Sequence, residues 1–313
     1  MIWPFRRAAP SRASRIRIKP PAPAPDRAPL ALVIIVRNEA ARIGDWLAFH
    51  ALAGVSHVFL YDNGSTDETA AIASCFTGCD VTVIPWQMDT AEAKTGMILP
   101  RQILAYAHAI CTFGGEFQRM GFIDADEYLV PRDHDDLPSA LSTLPHPNIS
   151  LPWTMFGHSG HQSPPDDALP FAYTQRAAES KGPLLNYKCI VDPCAVTQVS
   201  THKFETRDAG NRSSNTRGET ASNSARGPGF ATHDVIQLNH YYLMSVAEME
   251  AKKAGPAVSG TAQAQRSAAV AEKATLIEAA PIEDTSAPDF LARHEITSTA
   301  DLRGRFGTKR PAT

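Results

Sequence analysis

From Leu30 onward, hydrophobic residues fall in short bounded runs that switch between two periods. Leu32-Val33-Ile34-Ile35-Val36 is continuous, apolar and rich in β-branched residues. That predicts a strand buried on both faces, as in a parallel sheet. The run stops at Arg37-Asn38-Glu39; Ile43, Trp46, Leu47, Ala51 and Leu52 then recur at helical spacing until Gly54. Residues 58–61 predict a second strand and Asp62-Asn63-Gly64-Ser65 a turn. Ser65-Thr66-Asp67-Glu68 has the form of a capping box, with a helix from Ala70 to about Ala73. A third strand is expected over 81–84. A helix over 98–113 would set Ile103, Leu104, Ala107 and Ile110 on one face, and Gly121-Phe122-Ile123 would be a strand leading into Asp124-Ala125-Asp126-Glu127. Strand alternating with helix predicts the α/β class, with a mostly parallel central sheet flanked by helices.

Beyond Pro131 the pattern loosens. A short helix capped at Asp136 should run to Leu144, with strands over 149–153, 187–191 and 235–238. Residues 157–170 read as a Gly/His/Pro-rich loop, and 207–229, rich in Arg, Asn, Ser and Gly, as a long loop without periodicity. From Ala247 the chain is Ala-rich and helical, and its end is polar. Residues 1–29 set Arg6, Arg7, Arg12, Arg15, Arg17, Lys19 and Arg27 against Asp26 alone, with alternating prolines, and are expected to be extended or disordered. Three units follow: the tail, 1–29; a folded domain, 30–255, with halves 30–131 and 132–255; and a C-terminal extension, 256–313.

Composition narrows the function. A net charge of -3 argues against a general nucleic-acid binder. The five cysteines, Cys75, Cys79, Cys111, Cys189 and Cys194, form neither a zinc spacing nor a disulfide framework, so free and mostly buried thiols are expected. No apolar run is long enough to cross a membrane, and no apolar stretch follows Arg6 and Arg7 as a secretory signal requires. A cytoplasmic location is the expectation. The basic tail suits anionic lipid heads at the inner membrane face, although a solvated leader without a role is the plainer reading.

Ligands in open α/β sheets bind outside the carboxyl ends of the strands. Three polar loops sit there: Arg37-Asn38-Glu39, Asp62-Asn63-Gly64 and Asp124-Ala125-Asp126. Neither a Gly-x-Gly-x-x-Gly after the first strand nor a Gly-x-x-x-x-Gly-Lys is present, which argues against nicotinamide and P-loop chemistry. The acids suit Mn2+ or Mg2+, hard cations held by one or two carboxylates plus substrate phosphates. Asp124 and Asp126 are two apart, so in an extended stretch both carboxylates would point at one ion.

The order of Val33-Ile34-Ile35-Val36-Arg37-Asn38-Glu39, Tyr61-Asp62-Asn63-Gly64-Ser65-Thr66-Asp67 and Phe122-Ile123-Asp124-Ala125-Asp126-Glu127-Tyr128 resembles GT-A fold glycosyltransferases of the family 2-like and family 92-like branch. Residues 153–161, Lys188-Cys189-Ile190-Val191 with His202, and Asn239-His240-Tyr241-Tyr242 with Ser245 and Glu248 fit the family 92 side better, and the resemblance spans roughly 30–255. It implies a UDP- or GDP-linked sugar donor, a glycan or other hydroxyl acceptor, a divalent metal, and inversion at the anomeric carbon. Arg37, Asn38, Glu39, Asp62 and Asn63 would hold the nucleoside; Arg101 and Gln102 would reach base or phosphate; Asp124 would face the ribose or the metal's waters; Asp126 would ligate the metal. A late histidine often completes the ligand set in this fold, with His240 preferred over His202. Lys188, His202, Lys203 and Arg207 are further phosphate candidates, and Asp166, Asp167, Glu179, His158 and His161 are candidates for the general base. Glu283-Asp284 lies too far downstream to be the acidic pair usual in family 2. Three competing readings are an inactive nucleotide-sugar-binding scaffold, a sugar nucleotidyltransferase and a haloacid-dehalogenase-type phosphatase. The last two are disfavoured by a missing glycine-rich first loop and by an Asp-x-Asp that comes after the fourth strand.

Overall fold

The structure is a computed structural model that describes residues 11–254 and 263–306. Its main sheet uses strands β1 (Ala28–Val36), β2 (His57–Asp62), β3 (Asp80–Pro85), β4 (Phe117–Phe122), β5 (Glu127–Pro131), β6 (Asn148–Met155), β7 (Tyr187–Val191), β8 (Arg212–Ser214), β9 (Thr220–Ser222) and β10 (Ile236–His240). Their order is β9-β8-β6-β7-β4-β1-β2-β3, with β10 pairing β5 and β6. The stretch β4-β1-β2-β3 is parallel throughout. Beyond it β7 is antiparallel to both β4 and β6, so the second half of the sheet is mixed.

Helices α1 (Ile43–Leu52), α2 (Thr69–Cys75), α3 (Arg101–Phe113), α4 (Leu137–Ser142), α5 (Val246–Ala254), α6 (Gln263–Glu278), α7 (Ser286–Arg293) and α8 (Thr299–Arg305) surround the sheet. The continuous apolar run of β1 divides its side chains as the pleat requires. Leu30, Leu32, Ile34 and Val36 join the core under α1, whereas Ala31 and Val33 join the core under α3.

Several boundaries differ from expectation. α3 starts at Arg101 because Pro100 disfavours helical geometry at Leu99; Ile98 and Leu99 instead pair with Thr90 and Ala91. No capping box forms at Ser65. Asp67 Oδ1 accepts from Thr69 N at 3.1 Å, and Ser65 Oγ accepts from Asn38 N at 3.0 Å. Residues 207–229 hold β8 and β9, with Ser213, Ser214, Asn215 and Thr216 buried. Hydrogen bonds hold this segment: Asn215 Oδ1 accepts from Arg217 N and Glu219 N, and Thr216 donates to Thr232.

The tail is extended but not free. From residue 11 on it lies against the body: Ile16–Arg17 pairs with Val196–Val199, and Arg27 bonds Phe117 O and Asp192. Backbone pairing and one forked guanidinium supply the attachment that its composition withholds. Residues 1–10, with Arg6 and Arg7, lie outside the described residues. Of the extension expected over 256–313, residues 263–306 are described, and they are not a separate appendage. Val270, Ile277, Phe290, Leu291 and Leu302 are core residues, and Pro281–Glu283 pairs with Gln175–Ala177. Asp284 accepts from Arg176 and Gln237 there, a tying role that leaves it outside the acidic loops. All five cysteines are free, but only Cys189 and Cys194 are buried. No described helix is long and apolar enough to cross a membrane.

A buried histidine links α1 to β5. His50 Nδ1 lies 2.9 Å from Trp46 O, and Nε2 accepts from Leu129 N at 3.3 Å, which fixes a neutral ring. Burial pushes its pKa from 6.5 down to about 3. The unfolded chain takes up a proton near 6.5 that the folded chain refuses, so stability falls as pH drops from 6.5 toward about 3. Urea denaturation across that window should show the wild type losing about 1.4 kcal/mol per pH unit more than His50→Gln. Parallel slopes would remove His50 as the cause.

Candidate functional site

Register alone brings three loops to one edge. Val36 pairs with Asp62 and Val33 with Phe122, so the chain leaves β1, β2 and β4 at the same end of the sheet. Asn63 N donates to Val36 O at 2.8 Å, tying the second loop to the first. Asn38 adopts a left-handed backbone with φ 58°, and its Oδ1 accepts from Thr66 N at 2.8 Å. Asp62 Oδ1 accepts from Ser65 N at 2.9 Å. Arg101 donates to Asn63 Oδ1 and Asp89 Oδ1, each at 2.7 Å. Glu39 is held by Arg42, which also reaches Glu248 on α5 at 2.5 Å. Burial, with Asp126 nearby, raises the Glu39 carboxyl despite Arg42. Arg37 is exposed beside them.

Residues 124–127 form a turn rather than an extended stretch, with Glu127 N donating to Asp124 O at 3.1 Å. The expectation that Asp124 and Asp126 face the same way therefore fails, and each carboxylate has its own surroundings. Asp124 turns to Lys188 Nζ at 2.7 Å and Gln102 Nε2 at 3.0 Å. Asp126 turns to His240 Nε2 at 3.4 Å and Lys252 Nζ at 3.6 Å. Burial opposes ionisation of Asp126, but the His240 Nε2 contact and the charges of Lys252 and Lys188 outweigh it and hold the carboxyl below its ordinary range; with the ring neutral, the His240 part is a hydrogen-bond contribution rather than an ion pair.

Glu127 fastens the turn from beneath. Fully buried, it accepts from Trp153 Nε1 at 2.6 Å and from Asp124 N at 2.8 Å, with Lys188 Nζ at 3.5 Å. Burial pushes its carboxyl up against the pull of Lys188. Lys188, 1 % exposed, stays charged because Asp124 and Glu127 outweigh its desolvation. Lys188 is thus committed inward, and its expected contact with phosphate does not arise from this arrangement.

His240 reaches the site because it pairs with Glu127 across β10 and β5. Burial lowers its pKa against Asp126, so the ring is a neutral imidazole. Its buried Nδ1 has no hydrogen-bond partner among the described residues. His202 lies against Trp153 and bonds Tyr187 O at 3.1 Å. Of the two, it is His240 that contacts Asp126. Lys203 and Arg207 are exposed.

Among the general-base candidates, the Asp167, Glu179, His158 and His161 side chains have partners of their own, and Asp166 is tied through its carbonyl alone. Asp167 accepts from Thr299 and the Asp166 carbonyl from Arg303, both on α8. Glu179 forms an exposed ion pair with Lys181. His158 and His161 bond the carbonyls of Met244 and Ala172. Sequence reasoning missed Glu127 as a support, and it missed Lys252 and Lys273. The signal for Lys273 was present: it lies at helical spacing between the core residues Val270 and Ile277.

A sequence model of glycosyltransferase family 92 matches residues 34–226, more than half of the chain. The chain belongs to glycosyltransferase family 92. Among curated relatives it is 28% identical to a family 92 protein of Oryza sativa subsp. japonica, over 52% of this chain and 26% of that one. It is 26% identical to one of Arabidopsis thaliana, over 57% and 32%. The chain thus spans about a quarter to a third of the length of these relatives. Among solved structures, S. aureus TarS 1-349 in complex with UDP-GlcNAc aligns at TM-score 0.33 and 16% identity, over 53% of this chain and 46% of that one. Glucosyl-3-phosphoglycerate synthase from Mycobacterium tuberculosis aligns at 0.24 and 17%, over 42% and 45%.

Removing the Lys188 ammonium would leave the buried Glu127 carboxyl without its cation, beside a partly exposed Asp124. Lys188→Met should destabilise the family 92 domain by about 2–3 kcal/mol at neutral pH, less than a fully buried pair because solvent screens Asp124, read by chemical denaturation. A loss under about 1 kcal/mol, the level of an exposed ion pair, would show that the turn does not depend on this lysine.

Proposed function

We propose that the chain transfers a sugar from a nucleoside-diphosphate donor to a hydroxyl acceptor at the shared edge of β1, β2 and β4. The observation that carries this reading is geometric: the register of β10 and β5 brings buried His240 to the acidic turn, where its Nε2 lies 3.4 Å from the Asp126 carboxylate. Among the described residues no group of three or more His, Cys, Asp or Glu side chains is set to hold a metal. Mn2+ or Mg2+ does not require one, because it is commonly bound by one or two protein groups together with substrate phosphates. Asp126 and His240 fit that donor set. A divalent ion bound there would supply positive charge to the departing nucleoside diphosphate.

The chain's own residues account for the rest of the donor site. Asn38 and Asp62 shape the first two loops, and Arg101 orients Asn63 beside them. Glu39, held by Arg42 at the same edge, would accept from a ribose hydroxyl or a base N–H. Gln102 holds Asp124 rather than reaching outward itself. Inversion follows from the family resemblance, and this reading gives Asp166, Asp167 and Glu179 no part in activating the acceptor.

Calorimetric titration of UDP and of GDP, each with and without Mn2+, tests the reading. One nucleotide should bind in a metal-dependent manner, and Asp126→Ala and His240→Ala should each weaken it by at least about tenfold. A folded wild type that binds neither nucleotide with metal present would sink the donor site and favour a scaffold role.

A further inference from the structure

The acidic turn carries a second kind of charge that the donor reading leaves unused. Lys252 on α5 and Lys273 on α6 converge over the rings of Tyr242 and Trp153. Lys252 Nζ lies 4.0 Å from the Tyr242 centroid and Lys273 Nζ 4.7 Å from the same ring. Lys273 Nζ is also 5.4 Å from the Trp153 centroid. Trp153 cannot turn away, because its Nε1 is held by Glu127. His240 packs against both rings, at 4.6 Å and 5.3 Å, so the two ammonium groups stand beside the Asp126–His240 pair.

The two lysines are unequally compensated. Lys252 donates to Tyr242 O at 2.9 Å and lies 3.6 Å from Asp126. Lys273 Nζ has no hydrogen-bond or ion-pair acceptor among the described residues. Aromatic faces attract an ammonium by roughly 0.5–2 kcal/mol but do not neutralise it. Burial and Lys252 both weaken the charged form of Lys273, and its chain neighbour Glu272 only partly offsets them. The position is also unusual for a lysine. Val270 and Ile277, one helical turn to either side, are core residues, so Lys273 points inward where the helix would ordinarily place an apolar side chain. A half-buried cation aimed at a site and left without a counter-anion is arranged for an anion that arrives from outside.

We propose that Lys252 and Lys273 form a diphosphate clamp, the anion-binding half of the donor site beside the Asp126–His240 pair. The inference rests on the donor reading above and adds to it. The clamp comes from helices beyond the matched family segment of 34–226. It would place fixed positive charge where the leaving nucleoside diphosphate gains negative charge, so that a divalent ion is not its sole counter-charge. Affinity for the diphosphate should therefore keep a component that survives chelation of metal.

The test titrates UDP, GDP, inorganic pyrophosphate, uridine and guanosine, in EDTA and in Mn2+, against wild type, Lys273→Gln and Lys273→Arg. Lys273→Gln should bind diphosphates and pyrophosphate about tenfold more weakly in EDTA, the scale of one charge-assisted contact, with nucleoside binding unchanged. Lys273→Arg should restore most of that affinity, which a merely structural role would not do. Equal diphosphate and pyrophosphate affinities in wild type and Lys273→Gln overturn the clamp and leave the donor reading intact. Lysine-dependent pyrophosphate binding without binding of either nucleotide supports the clamp and defeats the donor reading. A folded wild type that binds neither nucleotide nor pyrophosphate overturns both.

Discussion

Lys188 carries its ammonium into the interior between Asp124 and Glu127, and the geometry of the candidate site hangs on that charge. An ammonium taken out of water is costly unless carboxylates and hydrogen bonds surround it closely. Here Asp124 approaches to 2.7 Å and Glu127 to 3.5 Å. Glu127 cannot drift away to relieve the crowding, because Trp153 Nε1 and Asp124 N hold its two oxygens. The turn between β4 and β5 is thereby fixed from below. Trp153 is oriented as a consequence, and with it the ring against which His240 and Lys273 rest.

That support explains why the two aspartates of one short motif do different things. Asp124 completes the buried charge cluster and is restrained by Gln102 from α3. Asp126 is turned toward His240 and Lys252, groups delivered from β10 and α5, more than a hundred residues later. One carboxylate holds the turn together, and the other faces His240 and Lys252. The division comes from the turn: Glu127 N closes onto Asp124 O, which breaks the alternation an extended strand would impose.

The C-terminal residues are joined to this arrangement through the core. Phe290, Leu291 and Leu302 are fully buried, and Arg303 forks onto Asp45 of α1 with both contacts at 2.9 Å. Met249 of α5 and Val270 and Ile277 of α6 lie in the same core, so the helices that carry Lys252 and Lys273 belong to the folded body although they lie beyond the matched family segment. The extension expected from 256 onward packs, over 263–306, into the same core as the rest of the body. The same burial keeps several histidines neutral, His50 and His233 among them, and makes stability fall in mild acid.

The sequence by itself determined what depends on neighbours along the chain. The continuous run at 32–36, the helical spacing after Ile43 and the polar residues directly after each strand were enough to predict the parallel half of the sheet and the three loops at its edge. The motif order was enough to suggest the family. Tertiary structure decided whatever depends on partners far apart in the chain. It set Lys188 against Asp124 across antiparallel β7 and β4, brought His240 level with Glu127 through the register of β10 and β5, and moved Asp166, Asp167 and Glu179 into other contacts. It also ordered 207–229, whose buried Ser, Asn and Thr side chains are held by hydrogen bonds that leave no apolar period to read. Local periodicity records which face of an element is buried. It does not record which distant charge that face will meet, because ion pairs and cross-strand register are set only when the sheet closes.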